Sequence, residues 1–163
     1  MRLTKYIIGL IFAFSILLTV STVAQDCSRP ELSTGQTIYV PAYSHIYCAN
    51  NERPFPLAVT LSIRNIDQHN AIKIRRVDYY ETHGKRIVEY TDSTIVLAPL
   101  GSLRYVVPEK DESGGSGANF IVEWNSDKCS NPPIVETIMI GTRGGQGLSF
   151  TSRGQAIVDS MSK

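Results

Sequence analysis

The clearest regularity in the chain is Leu57, Val59, Leu61 and Ile63 alternating with Ala58, Thr60, Ser62 and Arg64. Apolar residues at every second position put one set of side chains on a single face, so the segment reads as a half-buried strand. Asn65 to Asn70 then supplies turn formers, and Ile72 and Ile74 open the next strand. There the apolar phase slips from even to odd positions, at Val77 and Tyr79. A regular strand cannot change phase without turning its core face outward, so a β-bulge is expected near Arg75 and Arg76.

His83-Gly84 fits a hairpin turn between Val77 to Tyr80 and Ile87 to Tyr90. A further strand pair is expected at Thr94 to Leu97 and Leu103 to Val107, interrupted by Pro99 and Gly101. Pro108 to Gly117 is a polar Gly/Ser-rich loop leading into Phe120, Val122 and Trp124, which again alternate. After Asn131-Pro132-Pro133 come a strand from Ile134 to Ile140, a glycine-rich loop from Gly141 to Gly147, and Leu148 to Phe150. No mature segment carries apolar residues at helical spacing. About eight or nine short strands with regularly spaced turn signals predict an all-β fold, an antiparallel β-sandwich of immunoglobulin or fibronectin type.

The N-terminus departs from this pattern. Positive Arg2 and Lys5 precede an uncharged apolar stretch from Ile7 to Val20, which small residues close at Thr22-Val23-Ala24. That order is a secretory signal peptide, too short in its apolar core for the ~20 residues of a spanning helix. Residues 1–24 are therefore expected to be removed before Gln25, the competing reading being an uncleaved membrane anchor. A flexible lead-in over residues 25–35 and one sandwich domain over 36–159 complete the expected organisation. The protein is expected to be periplasmic or secreted, touching a membrane only through the N-terminal segment if that is kept.

The export segment holds two of the 16 basic residues and none of the 15 acidic ones, so the mature chain is close to neutral. That excludes the basic footprint of a nucleic-acid binder. The densest basic stretch, Lys73 to Arg76, lies in a strand pattern and reads as its solvated face. Cys27, Cys48 and Cys129 would meet an oxidising compartment, where one bridge and one leftover thiol is the simplest arithmetic. Of three possible pairings, Cys48 with Cys129 is expected, because both lie in the patterned region while Cys27 sits in the lead-in.

Three stretches carry a family resemblance: Ile38 to Tyr47, Ser113 to Trp124, and Met139 to Gly144 continuing through Gln146-Gly147 and Ser149-Phe150 to Gly154. With Asn51 to Asn65 and Asp78-Tyr79-Tyr80, the chain resembles the bacterial family known as domain of unknown function 3124, from about Thr37 to Val158. The resemblance implies an uncharacterised exported protein and assigns no functional residue. Cys48 and Cys129 depart from that family's usual pattern, and a pair of departures fits one extra bridge.

Candidate chemistry is sparse. Ser116 in Gly114-Gly115-Ser116-Gly117-Ala118 superficially resembles a nucleophile elbow, but Gly is missing two positions after the serine and no strand-to-helix turn is present. His45, Cys48, His69, His83 and Met139 are conceivable metal ligands, yet only His45 and Cys48 lie near each other in sequence, short of the three or four a stable site needs. Gly141 to Gly147 lacks the helix N-terminus of a phosphate loop, although Arg143 suits an anionic group. Tyr39, Tyr43, Tyr47, Tyr79 and Tyr80 are candidates for an aromatic platform or for packing. No motif calls for a cofactor. The expected function is noncatalytic binding of an envelope protein or a small polar or anionic ligand. Alternatives are a hydrolase using Ser116 with His45 as base, and a periplasmic metal-binding protein. The predicted recognition surface is formed where the loops Ser113 to Ala118 and Gly141 to Gly147 converge, with Ser116, Asn119, Arg143 and Gln146 as ligand-binding residues.

Overall fold

The computed structural model describes residues 27, 29, 31–48 and 52–158. The expected signal peptide, its cleavage point and the end of the domain at 159 lie outside the described residues. Among the described residues twelve strands follow one another: β1 (Ser33–Pro41), β2 (His45–Cys48), β3 (Arg53–Pro56), β4 (Ala58–Arg64), β5 (Ile72–Tyr80), β6 (Arg86–Glu89), β7 (Ile95–Leu97), β8 (Ser102–Val107), β9 (Asn119–Ser130), β10 (Ile134–Arg143), β11 (Gln146–Arg153) and β12 (Gln155–Ala156). The fold is all-β and no helix occurs among the described residues.

Two antiparallel sheets make the sandwich. One runs β12-β1-β9-β5-β6 with β7 also on β5, the other β11-β10-β4-β8, and β2 and β3 form a separate two-stranded arm. The alternating residues face inward as expected. Val59, Leu61 and Ile63 from β4 meet Val40 from β1, Phe120, Val122 and Trp124 from β9, and Met139 from β10 in one buried core. Each buried aliphatic or aromatic side chain contributes on the order of 1.5–3 kcal/mol of transfer free energy, so this double row holds the sheets together.

The phase slip is repaired as predicted. Ile74 lies opposite Trp124 and Arg76 opposite Glu123, so Arg75 is the extra residue, and Ile72, Ile74, Val77 and Tyr79 are all fully buried. The His83-Gly84 hairpin also forms, with Gly84 at φ +85° and its amide donating to the Glu81 carbonyl.

Four expectations are corrected. β7 and β8 do not pair with each other: β7 joins β5 and β8 joins β4, so the chain crosses between sheets at Ala98 to Gly101. β1 begins at Ser33, inside the expected lead-in. Gly141 to Gly147 is not an irregular loop. β10 and β11 stay in register down to Arg143 opposite Gln146, joined by Gly144 and Gly145 at φ +57° and +81°. Positive φ at both central residues is the turn whose twist matches paired strands, and it favours glycine.

The disulfide is the fourth. Cys129 bridges to Cys27, with Cα atoms 5.7 Å apart, and Cys48 is free. Cys48 stands on the arm, which packs beside the start of β9, where Ser44 and Ala42 bond Gly115 and Ala118. Cys129 lies ten positions further along β9, on the order of 30 Å away at a strand's rise per residue. The lead-in reaches Cys129 because β1 runs antiparallel to β9, bringing Ser33 opposite Ser130.

Candidate functional site

Register divides the connecting segments between two ends of the sandwich. Pro41 meets Asn119 and Tyr80 meets Asn119 in one sheet, and Ala58 meets Ile140 in the other. The β8–β9 loop, the β5–β6 turn, the arm and the β10–β11 turn therefore share one end. Ser33 opposite Ser130 and Arg64 opposite Ile134 mark the other.

At the first end the chain is held by backbone and hydroxyl bonds. Ser44 is the junction: its amide donates to Gly115, and its carbonyl accepts from Leu57. Its buried hydroxyl shares a 2.8 Å hydrogen bond with the Tyr79 hydroxyl. Burial pushes the Tyr79 phenol up, an effect the Ser44 bond partly opposes. Thr82 pins the β8–β9 loop twice, donating to the Gly114 carbonyl and accepting from the Gly117 amide. A Cβ at Gly114 would collide with the Tyr79 hydroxyl, which explains the glycine.

The predicted site residues fall into two pairs. Ser116 lies half-buried in the pinned loop and Asn119 opens β9, whereas Arg143 and Gln146 face each other across the β10–β11 turn and are exposed. The Arg143 guanidinium donates to the Pro54 carbonyl at 3.2 Å. The arm stands between the pairs, and among the described residues no hydrogen bond joins one pair to the other. The four residues share an end of the sandwich.

The arm itself escaped the sequence reading as a site. It presents exposed Arg53 beside Pro54, and Tyr47 at 55% exposure, packed edge-on to His45 with ring centroids 5.2 Å apart. A run of Arg-Pro-Phe-Pro carries no strand pattern, so only its pairing with His45 to Cys48 reveals the strand. The cationic half of this end, Arg53 and Arg143, is opposed on the β8–β9 loop by exposed Glu112 and half-buried Asp111.

The geometry does not assemble the two alternative chemistries. His45 Nε2 is engaged with the Tyr47 hydroxyl at 3.3 Å and its Nδ1 has no partner, so neither nitrogen bonds Ser116. His45 and Cys48, an odd three positions apart on β2, point to opposite faces of the strand. Met139 is a core residue, His83 lies in an exposed turn and His69 lies at the far end. Nor do the tyrosines form a platform: Tyr79 is in the core against Phe120, Tyr43 packs on Phe150, and Tyr80 accepts from Arg76.

Two further polar clusters stand out. On the outer face of the first sheet, fully buried Asp78 accepts from Arg76 at 2.6 Å and from Arg86 at 3.3 Å. At the second end, Asp67 Oδ1 accepts from the His69 and Asn70 amides, and Oδ2 from the Asn131 amide and side chain. The Asn131 amide holds the Asp67 carboxyl well below the usual carboxylate range, against burial and with help from the other two amides. Asn65 completes the lattice, donating to the carbonyls of Asn70, Leu97 and Ala98. A shallow cleft of about 460 Å³ lies alongside, lined by Arg29, Asp67, His69 and Cys129 among others.

A family model described as a protein of unknown function (DUF3124) matches residues 35–157. No curated protein matches the chain. Among solved structures it is similar to the one titled "Crystal Structure of Thermotoga maritima 1070", at 14% identity and a TM-score of 0.44, over 74% of this chain and 92% of that one.

Proposed function

The chain belongs to this family of proteins of unknown function, and we propose that it is an exported, noncatalytic binding domain. In this reading it recognises a polar or anionic partner in the cell envelope through the arm and the β10–β11 turn. The observation that carries it is the placement of Arg143: an exposed guanidinium anchored to Pro54 at the tip of a regular hairpin, one residue from exposed Arg53. Arginine held this way keeps donors in fixed geometry for a carboxylate or phosphate, with little ordering entropy left to lose on binding. Export rests on the charged, apolar and small-residue order of residues 1–24. The Cys27–Cys129 bridge supports the orientation, because it ties the chain's entry to the opposite end and leaves the arm accessible even to an anchored form.

The experiment is capture from native envelope with the wild type and with Arg143→Ala. Loss of capture at an unchanged melting temperature supports the reading. Equal capture by the two proteins, or a matching loss of capture and stability, overturns it.

A further inference from the structure

A sheet edge exposes a row of unpaired N–H and C=O groups, and natural proteins shield such rows with charge, proline, bulges or shortness. Four other edges of this sandwich are shielded, among them β7, which has only three residues. β12 has two residues, β6 has four with Arg86 and Glu89 and a register shift beside it, and β8 carries Arg104 and stops at Pro108. β11 is different. It has eight residues, in unbroken register with β10, with no proline and no charge before its last residue, Arg153. Among the described residues it pairs with β10 alone, and six of its eight residues are exposed.

The side chains of this edge indicate what would cover it. Met139 and Gly141 on β10 face the core, so their partners Phe150 and Leu148 face the same way. Gly141 has no side chain with which to cover Leu148, which stays 37% exposed at the rim. We infer that β11 pairs with β11 of a second copy of this chain, antiparallel about a two-fold axis through Ser149, joining two four-stranded sheets into one of eight.

A two-fold axis normal to the sheet keeps inner faces with inner faces, so partners must be an even number of positions apart. Centring on Ser149 sets Leu148 opposite Phe150 of the other copy twice, and Gly147 opposite Thr151. Each Leu–Phe pair is a favourable cross-strand contact, and the charged Arg153 falls opposite Gly145, away from its own symmetry mate. Centring on Phe150 would leave Leu148 against Ser152. A copy of the same strand meets these conditions with no charge to repel it. A single seam of this length buries less than a standard interface, so the dimer is a weak, concentration-dependent one.

The test uses the chain from Gln25 in a Cys48→Ser background. Ser149→Cys should form a disulfide-linked dimer on oxidation, since directly opposed Cα atoms lie about 4.5–5.5 Å apart, within bridging range. Thr151→Cys should not, because its symmetry mate is four positions away along the strand, about 13 Å. Sedimentation of unmodified protein across the micromolar range should show a monomer–dimer equilibrium. Ser149→Lys should weaken it roughly tenfold, and mixing Ser149→Lys with Ser149→Glu should restore it. Circular dichroism checks that each variant is folded. A monomer at every concentration, crosslinking through Thr151 equal to that through Ser149, or a dimer indifferent to Ser149→Lys overturns the inference.

Discussion

At the Asp67 end, one carboxylate accepts four hydrogen bonds, Asn65 caps three carbonyls and a disulfide closes the chain. At the Arg143 end, the loops are pinned through backbone groups and the hydroxyls of Ser44, Thr82 and Tyr79. Most of the longer side chains there, Tyr47, Arg53, Arg143 and Gln146, remain exposed. The Asp67 end spends its polar side chains on itself, and the Arg143 end keeps them for solvent or a partner. A polar loop is therefore not a binding loop by composition alone; what matters is which donors and acceptors are still unspent.

The comparison predicts unequal sensitivity to substitution. Replacing Cys27 and Cys129 together by Ser should cost the most, about 4–5 kcal/mol in the chain-entropy model for a loop of 102 residues, whereas Cys48→Ser should be nearly neutral. Denaturant unfolding under oxidising conditions measures both. A larger loss from Cys48→Ser would place the bridge at the wrong end.

Asp67→Ala should follow at about 3 kcal/mol, because it strands buried donors that now share a charged acceptor. The effect carries a pH signature. The folded carboxyl is held below its unfolded value near 3.9, so its stabilisation is complete above that value and is lost as pH falls through the folded one. The stability gap between wild type and Asp67→Asn should thus be constant near neutrality and shrink below about pH 4. A gap that widens on acidification would contradict the assignment.

At the other end the expected losses are smaller. Gly145→Ala should cost about 1 kcal/mol through backbone strain at φ +81°, since nothing crowds its Cβ position. Thermal unfolding of Gly145→Ala beside Asp67→Ala orders the two ends directly, and a larger loss from Gly145→Ala would mean that the Asp67 lattice is not the more stabilising of the two.

Much of the scaffold was legible in the chain. Leu57 to Arg64, the phase slip at Arg75 and the alternation from Phe120 to Trp124 each fix a face by period two, and the two sheets follow from those faces. Pairing across sheets was not legible: Ile95 to Leu97 and Leu103 to Val107 look like hairpin neighbours, and only tertiary packing sends them to different sheets. The disulfide was misread because the lead-in has no pattern, although β1 carries it along β9 to Cys129. Asn65 and Asp67 read only as turn formers, since the same side chains that make turns also build buried lattices. At the candidate site the sequence indicated Arg143 and the glycines beside it, but neither their tight turn nor the arm Arg143 leans on, whose Arg-Pro-Phe-Pro strand is defined by its partner.

In the proposed binding mode the arm end, not the Asp67 end, meets the partner. The most direct measurement places a photoreactive phenylalanine analogue at exposed Tyr47 and, separately, at exposed Gln68 of the opposite end, then irradiates each protein in the native envelope. A discrete crosslinked product is expected from position 47, disappearing with Arg143→Ala, and none from position 68. A product from position 68 alone, or one from position 47 that persists in Arg143→Ala, would contradict it.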